Sequence, residues 1–355
     1  MVRRAVLALW LALPGLVGCS SIGPATVSRD RLDYAAALAD AAKRETLLNI
    51  VKLRYADALS LVTVSQLVAG YTLEGRVDLR SDFFRDTFDL SDDVGFGIGG
   101  TFSDRPTATY TPIRGDDFAR LMLTPIPPSE LFAMLATGGP AALTLGLGVQ
   151  SINGLHNWSP GGSRIAQVDP RFIEILQLFG ELRAEAVLGF RFESEQGRRT
   201  AYLLLQDSSG RPRNAKTTRL LELLGLDPSR DDFPIRFGFG TGEPDEIRIY
   251  TRSLLEIMTN LAAQIQVPPG DVGEGRTFAT ETSPVEPPLL PDLSVQARLI
   301  KPINPFVAVE YRGTWYWIDD RNYHAKRVFS VLMLLLNLVE KSGGAQLPVI
   351  TIPTG

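Results

Sequence analysis

Residues 306–341 run FVAVEYRGTWYWIDDRNYHAKRVFSVLMLLLNLVEK, two short β-like segments followed by a long helical pattern. Phe306–Tyr311 and Thr314–Ile318 are dense in β-branched and aromatic residues and flank Arg312-Gly313, so they predict a hairpin. Residues 322–341 then predict a helix. Its apolar run, Val331–Val339, is about half of the ~20 residues that a membrane span needs, so it is expected to be a buried core helix.

Working outward, the same order recurs twice. Ala186–Glu193 and Thr200–Asp207 flank a Glu-Gln-Gly turn and precede a helix at 214–224, ended by Gly225. Pro234–Gly240 and Glu246–Tyr250 predict another hairpin, followed by a helix at 253–266 that opens with the capping pattern Ser253-x-x-Glu256. The residues themselves do not repeat, so the recurrence is one of architecture. Asp169-Pro170 starts a further helix, with Asp as N-cap and Pro at the first helical position. The expected class is α+β, antiparallel β-hairpins alternating with helices.

The N-terminal half is less regular. Residues 29–56 have helical spacing, and 59–112 read as a small Gly-rich antiparallel sheet. Gly115–Leu123 and Ser129–Ala136 predict two helices, while Ala141–Val149 fits a strand or a packed helix equally well. Residues 29–150 and 169–355 are therefore expected as two main regions, with a possible last strand at Pro348–Ile352. The Pro-, Gly- and acid-rich stretch 267–294 is expected to be an exposed loop, or alternatively a lid or partner-binding arm.

The first residues are an address. Arg3 and Arg4 precede a short apolar stretch, Ala5–Leu13, and then Leu16-Val17-Gly18-Cys19. The charge order and apolar length are those of a secretory signal, too short to span a bilayer. The tetrapeptide resembles the lipobox of bacterial lipoproteins. That resemblance implies cleavage of residues 1–18, diacylation of Cys19 and a tether over 19–28. Ser20 in place of an Asp implies the outer membrane, with the protein on its periplasmic face. Two other stretches, LLNIVKLRY at 47–55 and YRGTWYWIDD at 311–320, resemble uncharacterised bacterial outer-membrane lipoproteins. That likeness carries no known activity and implies no site residue beyond Cys19.

Cys19 is the only cysteine in 355 residues, which excludes a disulfide framework and a thiolate metal cluster. Without residues 1–18 the chain has 34 basic and 40 acidic residues, a net charge of about −6, and no basic tract. Nucleic acid is not an expected partner. The two histidines, His156 and His324, lie in no metal-binding spacing, so no metal or other cofactor is expected. Gly95-Phe96-Gly97-Ile98-Gly99-Gly100 matches G-x-G-x-x-G formally, but β-like Thr101-Phe102 follows where a dinucleotide site needs a helix. No nucleophile elbow and no Walker loop is present. The acid pairs Asp92-Asp93, Asp116-Asp117, Asp231-Asp232 and Asp319-Asp320 sit at turns or helix starts, where capping is their expected role.

The densest group of chemistry-bearing side chains is Trp315, Trp317, Asp319, Asp320 and His324. Period-2 alternation puts Trp315, Trp317 and Asp319 on one strand face and Tyr316 and Ile318 on the other. Such a face is a candidate ligand or partner surface; the plain alternative is aromatic core packing with an Asp capping the last helix. Asn153, His156, Asn157 and Trp158 form a weaker group of the same kind. The reading that follows is a lipid-anchored, non-enzymatic component of an envelope assembly, with an envelope protein partner or a second copy of itself. The alternative is a glycan- or peptidoglycan-binding or -cleaving lipoprotein working through 315–324.

Overall fold

The structure is a computed structural model and describes residues 22–68, 71–81, 94–104, 107–159, 168–206, 213–282, 289–342 and 349–351. The signal sequence, Cys19 and the Asp92-Asp93 pair lie outside the described residues. The fold is α+β with mostly antiparallel strands, as the hairpin and helix patterns predict. Helix α1 spans Ile22–Arg54, so residues 22–28 of the expected tether are already helical. The chain divides into two compact units, residues 1–39, 62–112 and 346–355 in one and 40–61 with 113–345 in the other. The boundary therefore differs from a division near residue 150.

In the first unit, β1 (Val62–Val68) pairs antiparallel with β4 (Thr107–Pro112). β2 (Tyr71–Ser81) and β3 (Val94–Asp104) form a separate two-stranded ribbon. The single sheet expected over 59–112 is thus two. The Gly95–Gly100 run is interior to β3, with Gly95, Gly97 and Gly99 in register with Arg80, Asp78 and Arg76. The last strand of the chain, β14 (Val349–Thr351), joins β1 in parallel.

The second unit opens with α2 (Gly115–Phe118), which runs on through a π-helical turn at Ala119–Leu123. α3 (Pro128–Ala136) and α4 (Ala141–Gly148) follow, so the ambiguous apolar stretch is a helix. β5 (Val149–Ile152) and β6 (Leu155–His156) are joined by Asn153-Gly154, both at positive φ. Asn-Gly between two strands is a strong hairpin signal. α5 (Pro170–Ala184) has Asp169 as its cap, accepting from the Arg171 N–H. β7 (Leu188–Glu195) and β8 (Arg198–Leu205) form the expected hairpin. α6 (Ala215–Leu224) ends on Gly225 in the left-handed region.

The next pair departs from expectation. β9 (Asp232–Phe237) and β10 (Ile247–Thr251) run parallel, with Ile247 beside Ile235, and do not form a hairpin. Alternate burial of Phe233, Ile235, Ile247 and Ile249 identifies both strands but is identical for either direction of pairing. Residues 238–246 return the chain to the start of β9, longer than the usual hairpin connection of about 2–5 residues. Gly240 has φ +93°, and a Cβ on Gly242 would lie 2.7 Å from the Glu246 carbonyl oxygen and 2.8 Å from Asn153 Oδ1. The six strands lie in the order β6-β5-β10-β9-β8-β7. Their buried residues, among them Leu188, Leu203 and Ile249, share one core with Phe132, Phe172, Ile175 and Phe179 of α3 and α5.

α7 (Leu254–Ala263) is capped by Ser253, and the short α8 (Pro269–Gly273) begins the stretch expected to be a surface loop. β11 (Gln296–Arg298), β12 (Pro305–Tyr311) and β13 (Thr314–Asp319) form a three-stranded sheet with β13 central. α9 (Tyr323–Ser342) follows and contributes Ala325, Val328, Phe329, Val331 and Leu332 to the core. The helix is capped by Asn322, whose side chain accepts from the Ala325 N–H, and not by Asp319 or Asp320. Among the described residues no helix is long and apolar enough to cross a membrane.

Candidate functional site

The stretches 47–55 and 311–320 meet in space. Leu47, Ile50 and Val51 of α1 are buried, and the helix ends on Arg54 and Tyr55. The Tyr55 hydroxyl lies 2.6 Å from the Tyr316 hydroxyl and donates to Asp271 Oδ2 at 2.6 Å. Its ring stands 5.4 Å from that of Tyr311, which donates to Asp57 at 2.7 Å. Arg54 is buried too. It donates to the carbonyls of Ala263 (3.1 Å) and Phe278 (2.6 Å), and its guanidinium stacks 3.9 Å over the Phe278 ring. Thr277 returns a hydrogen bond to the Arg54 carbonyl.

These contacts change the reading of 267–294. Its described residues up to 282 are half-buried or exposed, as expected of a surface loop, but Asp271, Thr277 and Phe278 fasten the end of α1, and Leu290 and Leu293 are buried. Burial and the hydrogen bond to Asp271 push the Tyr55 hydroxyl above the ordinary phenol range, and burial raises Tyr316 as well. Both stay neutral at neutral pH, which suits a structural lock and not a proton-transfer group.

On β13, Trp315, Trp317 and Asp319 do share the face opposite Tyr316 and Ile318. Trp317, however, is only 4% exposed. The register explains why. β11 ends at Arg298, opposite Trp315, and β12 begins at Pro305, opposite Asp319, so residues 299–304 must travel from one end of β13 to the other. Arg298 lies 4.4 Å over the Trp317 ring, and Lys301 lies 5.3 Å over Trp315. Both ring faces that a sugar would stack on carry a cation.

The polar members are also engaged. Asp319 accepts from the Arg321 N–H at 2.9 Å and pairs with its guanidinium at 3.3 Å, which holds its carboxyl below the usual range. Asp320 pairs with Lys326 at 3.0 Å. His324 sits in the first turn of α9, where burial lowers its pKa, and its Nε2 has no hydrogen-bond partner among the described residues. The five residues are therefore close in the chain but do not converge on one open cleft.

The weaker group separates in the same way. Asn157 donates to the carbonyls of Gly146 (2.8 Å) and Val149 (2.7 Å), and Asn153 to that of Leu224 (2.6 Å). Beneath them Arg252 is fully enclosed, donating to the carbonyls of Gly146 and Trp158 and to Ser159 Oγ. Burial pulls its pKa down to about 10, which still leaves it a cation at neutral pH. The small cavity at Asn157, Arg252, Asn260 and Gln264 has room for about one water; Asn260 Nδ2 has no hydrogen-bond partner among the described residues, and Arg252 Nε has only the 3.6 Å ion-pair contact to Glu256. A bridging water suits it; a substrate does not.

His156 points to a surface that the sequence reading missed. Its ring lies 6.3 Å from Phe239, which stands 6.0 Å edge-on to Tyr250; Phe237 lies 5.4 Å from Tyr250. Phe239 is 68% exposed and Phe237 about half exposed. Glu246 bridges Arg236 (3.1 Å) and Arg248 (2.7 Å) nearby. The signal was Phe237-Gly238-Phe239-Gly240, two large rings where a hairpin strand was expected to end. Among the described residues no group of three or more His, Cys, Asp or Glu is placed to hold a metal. Against protein-family models, curated proteins and solved structures, the chain has no match.

Proposed function

We propose that this chain is a non-enzymatic interaction component of an envelope assembly, anchored through Cys19 at the periplasmic face of the outer membrane. The observation that carries the reading is the patch of Phe237, Phe239, Tyr250 and His156, with Arg236 and Arg248 beside it. Solvent-facing aromatics next to arginines are the composition of protein interface centres. The side chains of Asn153, Asn157, Tyr55 and Tyr316 are spent on structural bonds, which favours binding over catalysis. The partner is an envelope protein or a second copy of the chain.

The test is crosslinked affinity purification of the full chain from envelopes, with native mass on the same sample. A stoichiometric partner or a discrete oligomer is expected. It should be lost in the double variant Phe237→Ser, Phe239→Ser, whose unfolding midpoint stays unchanged. A monomer with nothing attached would overturn the reading. The exposed rings also favour a second reading, a glycan-binding surface at this patch, because open aromatic faces stack on sugar rings. Titration with soluble peptidoglycan fragments separates the two.

A further inference from the structure

The connection from Arg298 to Pro305 does more than cover Trp317. Its residues Leu299, Ile300 and Ile303 are 78%, 77% and 91% exposed. Large aliphatic side chains scattered singly over a surface need no explanation, but three within five residues do. Between and beside them stand Lys301 and Arg298, whose cationic groups lie over Trp315 and Trp317; no ion pair within 4.0 Å joins either to a carboxylate among the described residues, although Arg298 is near enough to Asp319 to help hold its carboxyl down. The nearby acids are already occupied, Asp319 by Arg321 and Asp320 by Lys326.

We propose that the loop 298–303, LIKPI with Arg298 at its base, is a membrane-surface contact that dips its aliphatic tips into an anionic bilayer. Three features select a lipid surface over a protein partner. The tips are aliphatic, and protein interface centres favour Trp, Tyr and Arg while Leu is under-represented. Lys301 stands among the apolar tips; its long stem lets the ammonium reach headgroup phosphates while its carbons lie along the chains. Trp315 lies beneath Lys301, and an indole at headgroup depth is a common membrane-interface feature. The two cations at this edge complement an anionic leaflet even though the chain as a whole is acidic.

The loop also owes its shape to the sheet and not to the bilayer. It is pinned at Arg298 by β11 and at Pro305 by β12, on either side of β13. Its apolar tips are therefore presented without a folding step. This proposal is separate from the aromatic patch, which lies on the other sheet and needs a protein or glycan partner.

The experiment places an environment-sensitive fluorophore on Ile303→Cys in the full chain, with Thr218→Cys, exposed on α6, as the control position. Both are made in the native background and with Cys19→Ser. Labelling stoichiometry in the native background reports separately whether Cys19 is blocked by acylation. The protein is mixed with protein-free vesicles of phosphatidylglycerol and phosphatidylethanolamine, or of phosphatidylcholine alone, carrying a quencher in the acyl region. At 303 we expect a blue shift and quenching, stronger on the anionic vesicles; at 218 neither. Leu299→Ser with Ile300→Ser should abolish the response at 303. Arg298→Glu with Lys301→Glu should abolish the preference for anionic vesicles. A 303 label that stays in water on every vesicle would overturn the proposal, as would one that responds only when envelope protein is added.

Discussion

The second unit carries two aromatic surfaces, one on each of its sheets, and they are treated in opposite ways. On the three-stranded sheet the rings of Trp315 and Trp317 are roofed by a loop and each lies under a cation. On the six-stranded sheet Phe237 and Phe239 are half or more exposed, with ring contacts to Tyr250 and His156. The sequence draws the eye to the first of them, because two tryptophans beside acids resemble a ligand site more than a Phe-Gly-Phe-Gly run does. What decides between them is a crossing connection. A loop that must traverse the end-to-end length of β13 has nowhere to go but over its face.

The largest effect that would break this contrast is at Trp317. If the ring is core, Trp317→Ala costs about 3–5 kcal/mol, read from urea unfolding. A neutral result would mean that the roof is open in solution and would restore Trp317 as a binding residue. Because the ring is buried, this variant is a test of stability and not a clean test of ligand binding.

Next in size is the hydroxyl network under the same sheet. Tyr55→Phe removes the donor to Asp271 and the partner of Tyr316, for a loss of about 1–3 kcal/mol. The same network sets an alkaline limit. The folded pKa of each tyrosine is raised above the unfolded value of 10, so above pH ~10 the unfolded chain releases protons that the folded one keeps. Stability from this source is complete below that pH and falls above it, by about 1.4 kcal/mol per pH unit for each tyrosine. In Tyr55→Phe the alkaline fall should be shallower, measured by denaturation from pH 9 to 11. An unchanged slope would place the shift elsewhere.

A smaller effect sharpens the comparison from the roof side. Arg298→Ala removes the cation over Trp317, costs about 0.5–1 kcal/mol, and should red-shift tryptophan emission. The smallest effect belongs to the open surface. Phe239→Ala should change stability by no more than about 0.5 kcal/mol while weakening any partner contact at the patch. A large destabilisation there would show that this surface is core as well.

Much of the fold was legible because local chemistry is local. The 306–318 hairpin and the caps at Asp169, Ser253 and Gly225 all follow from residues within one turn. The direction of β9 against β10 was not, since burial alternates with period 2 whichever way a strand runs. The 267–294 stretch was legible as an exposed loop over residues up to 282, but not in what it fastens. Its Pro- and Gly-rich composition describes backbone freedom, while its fate is set by Arg54 and Tyr55, more than 200 residues away. At the candidate surface, alternation placed Trp315, Trp317 and Asp319 on one face correctly, but no pattern within β13 tells what lies above that face.

The pairing of β1 with β14 sets an order of events. Gln66 stands beside Val349, so β1 waits for residues that are made much later in synthesis before its sheet is complete. Until then the β1 edge that β14 will occupy stays open. Loss of Val349–Thr351 would leave that edge to whatever strand it met.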